Sequence, residues 1–518
     1  MTAETPAREH DSNTRRVRWP AAAVAGVLAA ATVLAVGHLV AVLVDPASSP
    51  FYVLGATMVD HTPHQLKDAA IRRFGSHDKQ ALFASMAAVM LLGAALAGIL
   101  ERRRPLGSAL LLALGGVTMA AALQRPTATG WFAVPTVAGS IAGVLVLRLL
   151  IAGRPTLRTP AEGVSRRRFL VSAASVGAAA VAVTVVARTV SARLRDAAAD
   201  RLRFVLPRPQ RPAPPVSPQV EPRVPGLTPF LTSNSAFYRV DTALQLPAQT
   251  RSEWRLRIHG MVDRAVSLDF DTLLRRAPVE RVITLTCVSN EVGGDLAGTA
   301  RWLGYPLAEL LAEAGPHPDA DMVLSRSIDG FTAGTPLSAL TDGRDALLAI
   351  GMNGEPLPLA HGYPARMVVP GLYGYVSATK WVVDLEVTRF DRARAYWTER
   401  GWSDRAPVKT AARIDVPAAF AAVEAGEVLV AGVAWAQHRG VTAVEVQVDD
   451  QPWQSAELAA EYSTDAWRQW TWRWRAAPGN HTLRVRATDA TGATQTSQRA
   501  TPFPDGSTGW HSRVVTVR

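Results

Sequence analysis

The sequence predicts a multi-domain chain made of an α-helical membrane domain with about five transmembrane helices, an α+β domain and a C-terminal β-sandwich. Three observations predict this fold class: long apolar runs in the first 190 residues, a dense cluster of prolines after them, and a change to short alternating strands near Ala411. A chain of 518 residues is long enough for more than one domain. We place the membrane domain at residues 1–190, a Pro-rich linker at 191–228, the α+β domain at 229–405 and the sandwich at 406–518.

The apolar runs of the N-terminal part are each close to the roughly 20 residues that a helix needs to cross the hydrocarbon core. Buried helices of a soluble protein are the alternative, but five runs in succession, broken by arginine clusters, favour membrane spans. The runs are Pro20–Val44, Gln80–Leu100, Leu106–Leu123, Trp131–Ala152 and Phe169–Ala187.

The orientation of these helices is predicted by the loops between them, because cytoplasmic loops carry an excess of Lys and Arg. With the N-terminus inside, the cytoplasmic segments hold 12 basic residues and the outside loops hold 5. Five crossings then place everything after about residue 190 on the outer side. We therefore expect a multi-pass protein of the cell membrane whose second half is extracytoplasmic.

An arginine motif directly precedes the fifth apolar run. Residues 165–170 read SRRRFL, which is similar to a twin-arginine export signal. Ordinary positive-inside anchoring is the alternative interpretation of these arginines. The export route implied by this resemblance carries folded, cofactor-loaded proteins, so the twin-arginine translocase is an expected partner. Because no convincing cleavage site follows, we expect the helix to remain as an anchor.

The linker is predicted from proline density. Eight prolines between residues 205 and 228 are too closely spaced for a helix or a central strand, so the segment should be an extended, semi-rigid spacer. These prolines are Pro207, Pro209, Pro212, Pro214, Pro215, Pro218, Pro222 and Pro225.

The α+β domain is predicted from short helices and strands in irregular order, with many Gly and Pro between them. The predicted strands are Trp254–Gly260, Arg281–Cys287, Met322–Ser327 and Ala378–Thr388, and the predicted helices are Leu268–Leu274 and Leu307–Ala314. No G-x-G-x-x-G or Walker loop is present, so dinucleotide and ATP sites lack their usual signature.

The sandwich is predicted from short alternating runs punctuated by turns. Its predicted strands are Glu427–Ala434, Val441–Asp449, Ala466–Trp474 and His481–Asp489. In the third of these strands, Trp470, Trp472 and Trp474 should share one face. A carbohydrate platform is possible for such a row, but core packing is the more common use of strand aromatics.

Charge and cysteine content narrow the function classes. The net charge is +11, but the basic residues are scattered or lie beside apolar runs, so a nucleic-acid partner is disfavoured. Cys287 is the one cysteine of the chain, which excludes an intrachain disulfide, a Cys₄ cluster and a c-type haem attachment motif. We expect no haem, and therefore a separate electron carrier such as a cytochrome or a quinone protein.

Cys287 ends an alternating strand and faces a polar, glycine-rich loop, RVITLTCVSNEVGG. Three roles compete for it: packing, a nucleophile and a metal ligand. A nucleophile is disfavoured because no helix begins here and Glu291 would raise the pKa of the thiol. A soft-metal ligand fits better, and one thiolate then needs an organic cofactor to complete the coordination.

Three motifs resemble the sulfite oxidase family of molybdenum enzymes: LTCVSNEVGG, GTARWLGYPLAELL and HGYPARMVVPGLYGYVSATKWV. The resemblance spans about residues 229–518. It implies a molybdopterin-binding domain in which Cys287 coordinates molybdenum and a pyranopterin dithiolene supplies two more sulfurs. It also implies an immunoglobulin-like fold for the C-terminal sandwich, which serves dimerisation in that family.

The resemblance also implies the cofactor-binding residues. Arg366 can fork two hydrogen bonds onto a phosphate, and Lys380 adds a point charge. The full implied set is Asn234, Tyr238, Arg239, Ser327, His361, Arg366, Ser377, Thr379 and Lys380, with Cys287 as the metal ligand.

One departure from the family concerns the substrate. Sulfite-oxidising members carry an arginine shortly after the ligand cysteine, where this chain has Asn290 and Glu291. Arg301, Arg326 and Lys380 are the candidates to replace it, and we assign Arg301 and Arg326 to the catalytic site. The expected activity is oxygen-atom transfer on a small substrate. A sulfoxide reductase of the periplasmic methionine sulfoxide reductase type and a non-catalytic membrane-anchored binding protein are the alternatives.

Overall fold

The computed structural model describes residues 19–45, 48–62, 78–102, 104–125, 128–152, 192–243 and 245–518. The chain divides into two compact units, Met1–Ala192 and Arg193–Arg518. The predicted fifth run and the arginine motif at 165–170 lie outside the described residues.

The N-terminal unit is helical in its described part. Four of its helices are long and apolar enough to cross a membrane, and they coincide with the first four predicted runs. A short helix between the first and second apolar runs was not predicted from the sequence. The helices are α1 (Trp19–Val44), α2 (Pro50–His61), α3 (Asp78–Glu101), α4 (Leu106–Leu123) and α5 (Ala133–Ala152).

Small residues bring these helices together. A Cβ atom on Gly26 would lie 2.0 Å from the carbonyl oxygen of Ala94, and one on Gly98 would lie 1.9 Å from that of Ala22. The backbones of α1 and α3 therefore approach as closely as glycine allows, which is how membrane helices gain packing contacts. Large apolar side chains such as Leu92 remain exposed, as expected of a surface that faces lipid.

The second unit begins with a helical segment, residues 192–203, which we call the connecting helix. The Pro-rich residues after it form no long helix or strand, but they are not a free spacer. Phe204 and Val220 are buried in the core of the following domain, and the backbone N–H of Gln210 donates to Pro278 O at 2.8 Å. The segment is therefore part of the folded domain, because its apolar side chains find a surface to cover.

Two mixed or antiparallel sheets build the α+β domain. One has the order β3–β4–β7–β8 with β9 beside β7, and the other has the order β2–β1–β10–β5–β6. The strands are β1 (Arg255–Gly260), β2 (Val266–Asp269), β3 (Val279–Thr286), β4 (Ala297–Pro306), β5 (Met322–Ser327), β6 (Thr332–Pro336), β7 (Leu347–Met352), β8 (Glu355–Pro356), β9 (Arg366–Val368) and β10 (Val382–Thr388). The helices are α6 (Phe270–Leu274), α7 (Leu307–Ala314), α8 (Ser338–Thr341) and α9 (Gly374–Ser377).

Two predicted elements of this domain need correction. The predicted helix Leu268–Leu274 starts later, because Asp269 ends β2 and caps α6 by accepting a hydrogen bond from Thr272 N at 2.8 Å. The predicted strand Ala378–Thr388 is extended only from Val382. Its first residues leave the sheet and join the site described below.

The C-terminal part consists of two sheets around a shared apolar core, with strand orders β11–β13–β17–β16 and β12–β19–β18–β14–β15. Trp470 and Trp474 are buried in this core and Trp472 packs against it, so the tryptophan row serves packing. The strands are β11 (Ala411–Val416), β12 (Ala422–Val423), β13 (Gly426–Trp435), β14 (Val441–Val448), β15 (Gln454–Ser455), β16 (Glu457–Leu458), β17 (Arg468–Ala476), β18 (Gly479–Asp489) and β19 (His511–Val517).

Candidate functional site

Cys287 lies one residue beyond β3, where the chain leaves the sheet. Its side chain is buried, its N–H donates to Leu296 O at 2.9 Å, and its carbonyl accepts from Asn290 N at 3.1 Å. These two bonds hold the start of the glycine-rich loop in a tight turn. Burial raises the pKa of Tyr238, and the nearby Cys287 thiol raises it further. Tyr238 and Cys287 are therefore neighbours.

His361 sits at the end of a short 3₁₀ turn and is 5% exposed. Burial, followed by the charges of Arg366 and Lys380, lowers its pKa to about 4, so the ring is neutral at physiological pH. Its Nε2 is 3.1 Å from Asn234 O, an acceptor, which assigns the ring proton to Nε2. The Nδ1 atom is then available as an acceptor.

Arg366 begins β9, and its guanidinium is buried over the ring of Trp302, 5.1 Å from the ring centroid. It donates to three backbone carbonyls, those of His361 at 3.1 Å, Met367 at 3.3 Å and Ala378 at 3.4 Å. No described carboxylate pairs with it, and burial lowers its pKa to about 10. A buried cation without an anionic partner is costly, so this arrangement suits an anion from outside the polypeptide.

Lys380 lies in the loop between α9 and β10, and its Nζ donates to Asp241 Oδ2 at 2.8 Å and to Ala360 O at 3.3 Å. Arg239 donates to the same Asp241 oxygen at 2.8 Å. Burial lowers the pKa of Lys380 to about 8, against the opposing effect of Asp241. Sequence reasoning missed Asp241, because an aspartate three residues after a tyrosine carries no local signal of its pairing with Lys380.

The side-chain amide of Asn234 forms hydrogen bonds with other protein groups. Its Nδ2 donates to Glu355 Oε1 at 2.6 Å and to Met352 O at 3.2 Å, and its Oδ1 accepts from Asn353 Nδ2 at 2.9 Å. Glu355 and Asn353 were not predicted as site residues. They belong to the β7–β8 turn, more than 100 residues away in sequence, so the motif around Asn234 could not predict them.

The remaining predicted hydroxyls are buried but differ in their contacts. Thr379 Oγ1 is 2.7 Å from Ser325 Oγ. Ser377 Oγ donates back to Tyr373 O at 2.9 Å, so it caps its own helical turn. Ser327 ends β5 with its side chain 3.5 Å from Asp329 N.

Arg301 is not brought to Cys287. It pairs with Glu280 at 2.9 Å and donates to Ala213 O at 3.1 Å. Glu280 is near the start of β3, seven residues before Cys287, which corresponds to roughly 23 Å of extended strand. Arg301 faces Val282 in the β3–β4 ladder, and its ion pair with Glu280 directs the guanidinium toward the start of β3, away from Cys287.

Arg326 is not brought to the other site residues. It lies between Ser325 and Ser327 on β5, so its side chain points to the opposite face of the sheet from these two residues. Its register partner is Asp384, which pairs with Arg257 and His259 on that other face. Strand alternation thus removes Arg326 from the site that contains Thr379.

The C-terminal sandwich holds the loop that follows Cys287. Ser507 Oγ donates to Asn290 O at 2.6 Å, and Arg413 Nη1 donates to Gly294 O at 2.7 Å. The ring of His511 is packed so closely on Gly293 that a Cβ there would lie 2.2 Å from it, and the φ of +81° also favours glycine. The conformation of this loop is thus decided jointly by both domains.

A cavity of about 240 Å³ lies between this loop and the sandwich. Its lining includes Glu291 from the loop, Tyr373 from the site, and Lys409 and Thr494 from the C-terminal part. Among the described residues, no group of three or more His, Cys, Asp or Glu side chains is arranged to hold a metal ion. A metal bound by Cys287 would therefore take its other ligands from outside the protein.

The residues present fit an anionic, hydrogen-bonding cofactor: a thiol, a neutral histidine acceptor and buried cations that outnumber their one carboxylate. This fold and site define a cofactor-binding oxidoreductase domain, and comparison with known proteins agrees. Residues 243–397 match the family described as the oxidoreductase molybdopterin binding domain. Residues 243–397 are therefore an oxidoreductase molybdopterin binding domain, in agreement with the resemblance seen in the motifs.

Mitochondrial sulfite oxidase of Mus musculus is 32% identical over 288 residues, which are 47% of this chain and 52% of that protein. Sulfite oxidase of Gallus gallus is 31% identical over 47% of this chain and 62% of that protein. The chain thus spans about half to three-fifths of these relatives. Among solved structures, the sulfane dehydrogenase SoxCD from Paracoccus pantotrophus is 22% identical, with a TM-score of 0.46, over 53% of this chain and 80% of that one.

Proposed function

We propose that this protein is a membrane-anchored, extracytoplasmic molybdenum-cofactor oxidoreductase that transfers an oxygen atom to or from a small substrate. The observation that carries the proposal is Arg366, a buried guanidinium with no described carboxylate partner, in the same site as Cys287. A cofactor with a phosphate tail supplies the missing anion and, when bound, a metal centre for two-electron chemistry.

Each residue of the site has a defined part in this proposal. Arg366 and Lys380 would bind the phosphate, with Arg239 beside them. His361 would offer its Nδ1 atom to the cofactor as an acceptor, and Tyr238, buried near Cys287, would line the same site. Cys287 supplies the thiolate ligand from a buried position that excludes bulk water.

The membrane location is supported by the four apolar helices and by the excess of basic residues in the loops assigned to the cytoplasm. The motif at 165–170 supports export of the folded, loaded protein by the twin-arginine translocase. Electrons leave to a separate carrier, a cytochrome or a quinone protein, and we expect the purified chain to hold no haem. A Soret band in the purified protein would contradict this part of the proposal.

The C-terminal sandwich is proposed to be immunoglobulin-like and to form a homodimer. The strand orders β11–β13–β17–β16 and β12–β19–β18–β14–β15 support this, since they match the pattern in which strands A, B, E, D oppose strands G, F, C. The tryptophans of β17 are used in the core, which removes the main argument for a glycan-binding role.

Metal analysis tests the proposal. The full-length chain should contain about one molybdenum per protein, and Cys287→Ser should fold but be inactive, because a hydroxyl is a poor substitute for a soft sulfur ligand. Thermal unfolding of the Ser variant serves as the folding control. Absence of molybdenum from the wild-type protein, or wild-type turnover by Cys287→Ser, would overturn the assignment.

A further inference from the structure

We propose that Asp200 and Arg201, two adjacent residues of the connecting helix, are positioning residues that hold the cofactor-binding turn from outside the molybdopterin domain. This inference rests on the proposed function, because the turn at residues 361–366 is assigned there to the cofactor. Both residues precede the matched region 243–397, and no motif of the sequence analysis included them.

Asp200 supports one side of the turn. Tyr363, inside the turn, donates its hydroxyl to Asp200 Oδ2 at 2.6 Å. Arg251 holds the same carboxylate, with its Nη2 2.8 Å from Oδ1 and its backbone N–H 2.8 Å from Oδ2. Burial alone would raise the pKa of Asp200, but the bonds from Arg251 and Tyr363 lower it to about 2. The carboxylate is therefore charged and fixed at any physiological pH.

Arg201 supports the other side through a chain of hydrogen bonds. Its Nη2 donates to Glu355 Oε2 at 2.7 Å, and its Nε donates to Leu357 O at 2.9 Å. The second oxygen of Glu355 accepts from Asn234 at 2.6 Å, and Asn234 O accepts from His361 at 3.1 Å. The tautomer and orientation of the His361 ring thus depend on a path that begins at Arg201.

The connecting helix directly follows, in sequence, the segment that contains the predicted fifth membrane helix. The segment that ties the oxidoreductase domain to the membrane part therefore also completes the support of its cofactor site. A purely stabilising role is a weak explanation for the Arg201 pair, because the Glu355 side chain is 51% exposed and ion pairs of that exposure contribute little. Orientation of the neighbouring Asn234 and His361 is what the pair adds.

The experiment uses the full-length, cofactor-loaded protein and the variants Asp200→Asn, Arg201→Gln and their combination. The same helix provides matched controls with the same change of charge: Asp196→Asn, one turn earlier, and Arg203→Gln, both at exposed positions. Three quantities are measured: molybdenum per chain, the rate at which molybdenum is lost on dilution, and amide hydrogen exchange in the turn and in the distant strand β18.

We expect the double variant to lose molybdenum about 10-fold faster than wild type, as is usual when support of a metal site is removed. Exchange should accelerate at the amides of 361–363 and 367, while β18 and both control variants stay at wild-type values. A variant that is uniformly destabilised would instead speed up exchange in β18 as well, and that pattern would count against positioning.

The outcomes separate the two proposals. If wild type retains molybdenum and the double variant retains it equally well, the positioning role of Asp200 and Arg201 is wrong while the proposed function stands. If wild type contains no molybdenum, the proposed function fails, and this inference fails with it.

Discussion

Lys380 and Asp241 form an ion pair with an Nζ–Oδ2 distance of 2.8 Å, and their side chains are only 10% and 6% exposed. Arg239 shares the same carboxylate oxygen, and Arg366 is buried in the same site without a described carboxylate. The Asp241 carboxylate thus interacts with two cations, Lys380 and Arg239, while Arg366 has no described carboxylate partner. The site keeps a net positive charge that suits a phosphate-bearing ligand.

Replacing Asp241 with Asn should destabilise the cofactor-free protein by roughly 3 kcal/mol, because removing one partner of a buried pair leaves an uncompensated charge. Inorganic phosphate should restore part of the lost stability, because its negative charge can replace that of the Asp241 carboxylate. Denaturant unfolding with and without phosphate measures both effects. Asp391→Asn, which breaks the surface pair with Arg389, is the control and should change stability little. Equal stability of the Asp241 variant and wild type would contradict the charge arrangement.

Arg366→Lys should lower the molybdenum content about 10-fold, because lysine cannot fork onto phosphate or stack on Trp302. Arg326→Lys is a matched control on the other face of the second sheet and should retain wild-type content. Molybdenum is measured per chain after identical purification. If the Arg326 change lowers the molybdenum content and the Arg366 change does not, Arg326 rather than Arg366 contributes to cofactor binding.

Stability should fall when the pH drops from about 6.5 to 4. Burial, then the nearby cations, lowers the folded-state pKa of His361 to about 4, and burial has the same effect on His511. The unfolded chain binds protons near pH 6.5, so in this window it binds more protons than the folded chain. The contribution of these histidines is complete above about pH 6.5 and is lost as the pH falls through 4.

For His361 this contribution is on the order of 2 to 3 kcal/mol. His361→Gln should flatten the dependence of the unfolding free energy on pH by this amount in the cofactor-free protein. His317→Gln, with a side chain that is 43% exposed, is the matched control. An unaltered slope in the His361 variant would mean that the ring is not buried as a neutral group.

Sulfite should be a poor substrate of the wild-type protein. Glu291 lines the cavity beside the Cys287 loop, and its carboxylate repels a dianion, whereas Arg301 and Arg326 are both engaged elsewhere. We therefore expect a neutral or cationic substrate to be preferred over sulfite. Glu291→Gln should raise kcat/KM for sulfite by about 3- to 10-fold at low ionic strength, because it removes one like charge.

Steady-state kinetics with sulfite and an artificial acceptor, across ionic strength, measures this effect. Glu461→Gln removes an exposed charge away from the cavity lining and serves as the control. Efficient sulfite oxidation by wild type that is unaffected or damaged by Glu291→Gln would show that Lys380 or another cation already forms the anion site.

Replacing Arg166 and Arg167 together with Lys keeps the charge but breaks the twin-arginine pattern. We expect the second half of the chain to remain in the cytoplasm, protected from external protease. The same change at Arg102 and Arg104, between the second and third apolar runs, should leave the protein exported. Export of the Arg166/Arg167 variant would show that these arginines act only as positive-inside anchors and not as an export signal.

The sequence alone determined the features that depend on local pattern. Apolar runs long enough to cross a membrane, strand alternation up to Cys287 and the HGYPAR motif are each readable within a few residues, because helix and strand periods and backbone turns are local properties. Cys287 was found in this way, whereas Tyr238, His361, Arg366 and Lys380 were implied by the resemblance of their motifs to a known family, and the structure brings these residues together.

Only the tertiary structure decided which residues from distant parts of the chain contact that site and which do not. Arg301 and Arg326 carry the right charge for catalysis, yet strand register and alternation direct them to Glu280 and to the face of Asp384. Asp241 and the pair Asp200–Arg201 look unremarkable in sequence, and only the chain's return from distant positions places them against Lys380 and the His361 turn. Hydrogen bonds and ion pairs between distant residues form only after the backbone has folded, so local sequence patterns carry no record of them.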